Sequence, residues 1–346
     1  MNYYFLSIFL FLIITLSSCQ SDLAEIPLSH KGQYIHFSGT IYDTLYHFDM
    51  DIVGDETNIS YYNEYHPKMY YLYGSISNDT VTYQDFGSGM YSESDSLIPH
   101  HFKGIFKNNE LIGTLIRYYD TIPIHFKADY SKSIPLDFFH SNDTLITDTN
   151  TTFKITQQIR MPYSRKYPLV QQACYSLMGD AHFQGHPLVF TKKELPKYEQ
   201  HHSSPDKPSP TRFYKFNATE VLYNIDGLVV LFNSSLRFWN GIHEPFTSRH
   251  TTIDLKQQKI ITLNDVLSPS QVKLIPFLLE QKFREQYNLP KPIPLSTKLL
   301  YDENHFMTNN YFITKSGIGF FYNPQEIAPF AMGTIELYLK FDEIPK

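Results

Sequence analysis

In the stretch GDAHFQGH, His182 and His186 stand four residues apart. On a helix that spacing puts both imidazoles on one face, where they can ligate a metal such as zinc. A zinc hydrolase also needs a general base, and no Glu follows His182. Gly185 signals the end of a helix, so the stretch reads more simply as a surface loop. Together with His201 and His202, the pair would mark a metal-dependent carbohydrate hydrolase or deacetylase. Cys174 offers a thiol, but nothing beside it would lower its pKa, and it reads as a small core residue. Asp49 and Asp51 share one strand face and are expected to be solvated. His100 and His101 are adjacent, so in a strand they face opposite ways. The chain has no Gly-x-Ser-x-Gly elbow, phosphate-binding Gly-rich loop or dinucleotide fingerprint. A non-catalytic protein without a cofactor is therefore expected.

The N-terminus speaks about location. Phe5 to Leu16 is a dense apolar block. It is shorter than the roughly 20 residues of a membrane span and fits the core of a secretory signal. Leu16-Ser17-Ser18-Cys19 resembles a bacterial lipobox. The resemblance implies cleavage before Cys19 and acylation of that cysteine. Residues 1–18 are then a lipoprotein signal peptide and 19–26 a tether. Acyl chains would hold the body at a membrane, expected to be the outer membrane, on its periplasmic face or at the cell surface. An acylated Cys19 leaves Cys174 without a disulfide partner. The net charge of −6 is spread along the chain with no basic patch, which argues against nucleic acid as a partner.

The elements that must position any site are mainly strands. The chain has 27 Tyr and 27 Phe against one Trp, and many Tyr alternate with polar residues, as in half-buried antiparallel strands. Residues 27–130 read as an all-β meander of eight short strands, curled into a small barrel or sandwich. Residues 131–150 are rich in Ser, Thr, Asn and Asp and read as a linker. Residues 151–346 read as an antiparallel sheet with packed helices, which makes the chain α+β. A helical stripe at Leu169, Ala173, Leu177 and Ala181 marks one helix. Ser268 and Pro269 mark the start of another, with Pro276 inside it. Asp226-Gly227 marks a hairpin.

Two long segments carry a family resemblance. They are SLRFWNGIHEPFTSRHTTIDLKQQKIITLNDVL and YFITKSGIGFFYNPQEIAPFAMGTIELYL. They resemble the two motifs of the RsiV-like C-terminal domain, which also accompanies the PdaC deacetylase. The domain would fill residues 151–346, with 225–341 the best-matched part. Departures occur at Asn240-Gly241-Ile242-His243, Gln258, Gln325 and Phe330. The resemblance implies binding of a cell-wall component or of a wall-degrading enzyme such as lysozyme. It points to His243, Glu326, Trp239 and Phe330 as ligand-binding candidates. Pro324 and Pro329 keep the corner around Glu326 out of strand and helix interiors. Glu326 is expected to hold that corner by accepting backbone N–H bonds or by pairing with a cation. An envelope scaffolding subunit, using the β-rich N-terminal region to hold a partner, is the third reading.

Overall fold

Asn78 and Asp79 have φ of 48° and 64°, and Asn108 and Asn109 have 53° and 61°. Such left-handed pairs form the tight turns that match the twist of a hairpin. They join strands of a meander in a computed structural model. The structure describes residues 27–84, 101–117, 120–146, 154–193, 212–239, 242–243, 246–301 and 305–346. The eight strands are β1 (Lys31–Ile41), β2 (Thr44–Val53), β3 (Glu56–Tyr62), β4 (Tyr70–Ser77), β5 (Thr80–Gln84), β6 (His101–Lys107), β7 (Glu110–Arg117) and β8 (Asp120–Ala128). Each pairs antiparallel with the next, and β8 returns to β1 through Phe37↔Ala128 and Gly39↔Phe126. The meander is thus a closed barrel, not a sandwich, and closure removes its edges.

The barrel interior is packed. Phe37, Phe48, Met50, Ile59, Tyr61, Leu72, Val81, Tyr83 and Phe126 are buried inside it. The hydroxyl of Tyr83 is satisfied by Thr57 Oγ1 at 2.9 Å and Met50 Sδ at 2.9 Å. Gly104 faces Gly113 across β6 and β7, and a Cβ on either would meet the carbonyl of the facing strand.

β1 is also a fork. Its first residues, Lys31 to Gln33, pair with β9 (Asp137–Ile146), and from there the sheet leaves the barrel. The order continues through β10 (Lys154–Tyr163), β11 (Arg212–Ile225), β12 (Leu228–Trp239), β14 (Thr247–Asp254) and β15 (Lys259–Ile261), with the short β13 (Ile242–His243) beside β12. The β10–β11 pairing is parallel. Its crossover carries α1 (Pro168–Leu177) and a second helix, α2, at residues 187–193. Within the expected linker 131–150, the described residues 131–146 are therefore not free. β9 pairs with β10 along ten residues, and both backbone groups of Ile134 bond the Asn224 side chain. The polar composition misleads because β9 buries the polar Ser141 along with Phe138 and Phe139.

A second, three-stranded sheet of β16 (Tyr311–Ile313), β17 (Gly317–Tyr322) and β18 (Ile335–Lys340) packs on α4 (Pro269–Gln286), which follows the one-turn α3 (Leu263–Val266). Ser268 and Gln271 form the capping box of α4, with the Gln271 amide 3.3 Å from Ser268 Oγ. Such a cap contributes about 1 kcal/mol. Ile275, Leu279 and Phe283 then form the buried stripe despite Pro276. In α1 the buried residues are Val170, Gln171, Ala173, Cys174 and Tyr175, and Ala181 lies in the turn beyond the helix. The α+β expectation therefore holds only coarsely. The fold is mostly β, a closed barrel with extra strands and few helices.

The outer face of β1–β3 would ordinarily meet water. Here β11 covers it. Asp49 and Asp51, expected to be solvated, are 3% and 7% exposed. Asp49 is met by Tyr34 Oη at 2.5 Å, His36 Nδ1 at 2.6 Å and Tyr62 Oη at 2.8 Å. Asp51 and Glu220 of β11 share the Asn58 amide, at 3.4 and 2.9 Å. Burial raises Asp51 to about 7 against the pull of Arg160, and raises Glu220 well above the usual carboxylate range. A carboxyl that holds its proton more tightly when folded adds stability that is full below its unfolded pKa and lost as pH rises through the folded one. The purified chain is expected to lose melting temperature relative to its Asp51→Asn variant between pH 4 and 8. Parallel melting curves across that range would show that Asp51 carries no such proton.

Candidate functional site

β14 pairs with β12 along its whole length, but β15 pairs only with Thr252 to Asp254. The outer edge of Thr247 to Thr251 therefore has no strand partner. Unpaired backbone groups at such an edge need other partners. Two carboxamides provide them. Asn323 Oδ1 accepts the Ser248 N–H at 2.6 Å, and Asn310 Oδ1 accepts the His250 N–H at 2.9 Å. The Asn310 and Asn323 amides donate back to the Ser248 carbonyl at 2.9 and 3.2 Å. Two side chains thus stand in for a missing strand.

His250 is locked into the same arrangement. Its Nδ1 lies 2.9 Å from Asn310 Oδ1, an acceptor, so Nδ1 carries the proton. The ring packs among Phe232, Phe312 and Phe321, with centroids 5.0, 5.7 and 3.9 Å away. Burial lowers its pKa to about 4, so the ring is neutral at ordinary pH. Glu326 anchors the other end. One carboxylate oxygen accepts the Asn323 N–H at 2.8 Å, and the other lies 3.4 Å from the Thr308 hydroxyl. The corner turns through Gln325 at φ 68° and Gly333 at φ 64°. Glu326 therefore orients Asn323, and Asn323 seals the edge of β14.

Beside this edge lies a cleft of about 640 Å³. Its walls are Ala173, Ser176 and Leu177 of α1, Ser248 to Thr251, Ile260, Met307 to Asn310, Asn323 and Glu326. The volume suits a small ligand or one unit of a polymer. The lining offers hydroxyls, carboxamides, one guanidinium, one carboxylate and a few apolar side chains. These groups can bind a polar ligand by donating and accepting hydrogen bonds. Among the described residues no three His, Cys, Asp or Glu side chains are grouped to hold a metal ion.

The residues singled out by the sequence are scattered. Glu326 lines the cleft. Phe330 is half-exposed in the short 3₁₀ turn Phe330–Met332, outside the cleft lining. The backbone sets Trp239 opposite Ile242 and Phe238 opposite His243. The side chains of Trp239 and His243 lie outside the described residues, as do Cys19, His100, His201 and His202. His182 and His186 share no helix, because α1 ends at Leu177 and α2 begins after His186. His182 is exposed in a turn, and His186 Nδ1 accepts the Leu188 N–H at 3.2 Å. Cys174 is buried, which raises its thiol pKa. Ser248, Arg249 and Asn323 lie within the two family-like segments but match none of the motif positions singled out there, and Asn309 and Asn310 stand just before the second segment.

A histidine held below its unfolded pKa contributes stability that is present above that value and lost as pH falls. For His250 the window runs from 6.5 down to about 4, and the loss is roughly 3 kcal/mol. NMR titration of the ring is expected to give a midpoint near 4. A midpoint near 6.5 would mean that water reaches the ring and the seal is open.

Residues 264–342 match the model of a family described as a protein of unknown function, DUF3298. That span contains Met307 to Asn310, Asn323 and Glu326, while α1 and β14 lie before it. A solved member of the DUF3298 family from Bacteroides fragilis is 18% identical, with 61% of this chain and 93% of that one covered, at a TM-score of 0.50. A DUF3298 family protein from Pseudomonas aeruginosa is 17% identical, with coverage of 62% and 96% and a TM-score of 0.44. No curated protein matches the chain. The C-terminal part is thus similar to DUF3298, and at these identities the structural likeness concerns the fold.

Proposed function

We propose that this chain is a lipid-anchored, non-catalytic protein of the cell envelope whose RsiV-like region binds a cell-wall component in the cleft beside β14. One observation carries the reading. Glu326, the acidic residue of the closing motif, stands in the wall of a cleft built from hydroxyls and carboxamides. Such groups match the hydroxyl and acetamido groups of a wall glycan, which both donate and accept hydrogen bonds. The lipobox at Leu16 to Cys19 would keep the body in the envelope where that glycan lies.

Two measurements test this. Full-length chain in detergent is expected to co-sediment saturably with purified peptidoglycan sacculi. Ser176→Tyr, which fills the cleft from α1, is expected to weaken that binding at least tenfold with the melting temperature kept. Binding to soluble lysozyme at micromolar concentration, with none to sacculi, would replace the wall component by a wall-degrading enzyme. Separately, Cys19→Ser is expected to shift the protein from the membrane to the soluble fraction and to abolish its labelling by a palmitate analogue. Retention of both would overturn the lipoprotein assignment.

A further inference from the structure

Most polar groups of the cleft are already engaged with one another. Ser248, His250, Asn310 and Asn323 satisfy the strand edge, and Glu326 is held by Asn323 and Thr308. Arg249 stands apart. Side chains alternate along a strand. Ser248, His250 and Thr252 face Asn323, Asn310 and Ile313. Arg249 and Thr251 therefore leave β14 on the opposite face, the one that Ile253 buries against α1. Arg249 is exposed and forms no ion pair among the described residues. It is the one cation in the lining, which also holds the carboxylate of Glu326.

We propose that the cleft selects a sugar bearing a carboxylate, and that Arg249 is the residue that reads the carboxylate. This rests on the cell-wall reading above and narrows it. A guanidinium matches a carboxylate with two parallel hydrogen bonds. Glu326 in the same cleft disfavours a doubly charged phosphate, so a singly charged group fits better. The hydroxyls of Ser176 and Thr251 and the amide of Asn309 remain for ring substituents. Leu177, Ile260 and Met307 supply apolar contact for the face of a sugar ring.

N-acetylmuramic acid and N-acetylglucosamine differ only by a lactyl ether with its carboxylate, so they isolate the claim. Calorimetric titration of the full-length chain in detergent is expected to show at least tenfold tighter binding of N-acetylmuramic acid. Arg249→Gln is expected to bring the two sugars within twofold while leaving N-acetylglucosamine binding and the melting temperature unchanged. Equal affinity in the parent chain, or a preference that survives Arg249→Gln, would overturn the role of Arg249. Competition by inorganic phosphate as strong as by the sugar acid would replace the sugar acid with a general anion. If sacculi bind while the two sugars bind alike, only this inference falls. If neither sacculi nor sugars bind, the cell-wall reading falls with it.

Discussion

Asp49 is a carboxylate taken out of water, and such a charge is costly unless donors surround it. Three do. Tyr34, Tyr62 and His36 all reach it. The two tyrosines are also acceptors. Asn224 of β11 donates its backbone N–H to the Tyr62 hydroxyl at 2.9 Å and its side-chain amide to Tyr34 at 2.7 Å. The Asp49 carboxylate thereby fixes two hydroxyls of the barrel, and those hydroxyls fix β11. β11 sets the register of β12, and β12 that of β14. The position of the cleft relative to the barrel therefore descends from one buried charge. Removing the Asp49 carboxyl group would leave three buried donors unpaired, each costing about 1–3 kcal/mol.

The same seam shows how a mostly β chain joins two bodies without an open edge between them. β11 carries a bulge between Val221 and Tyr223. A bulge leaves backbone groups out of the ladder. The carbonyls of Val221 and Leu222 accept the Ser60 hydroxyl at 3.0 and 3.2 Å. At the rim, Glu64 joins His47 at 3.2 Å and Lys132 at 2.8 Å, and Lys315 pairs with Asp226. The two lysine pairs are part-exposed and individually weak, whereas His47 is buried. The seam depends on its dry centre.

Local features were legible in the sequence wherever a local rule decides them. The turns at Asn78-Asp79, Asn108-Asn109 and Asp226-Gly227 need left-handed backbone, and their residue types announce it. The Ser268 cap and the Ile275, Leu279, Phe283 stripe follow from spacing alone. What failed depended on partners distant in sequence. Asp49 and Asp51 look solvated on β2 because the strand that buries them begins more than 150 residues later. β9 looks like a linker because its polar residues pair with β10 and even the polar Ser141 is buried there. Closure of the barrel rests on three β1–β8 pairs that no turn signal encodes.

The cleft illustrates the same limit at the level of function. The closing motif pointed to Glu326, yet Glu326 works through Asn323, and Asn323 works on the backbone of Ser248. The corner is thus rigid for a reason beyond its prolines: it must deliver one carboxamide to an unpaired strand edge within hydrogen-bond distance. An amide there satisfies N–H and C=O together, which an ionised carboxylate, an acceptor only, cannot do. Sealing the edge with side chains instead of a strand also leaves space beside it. A β15 extended by five residues would pair with the edge and fill that space. The cleft exists because the sheet stops early and two asparagines complete it.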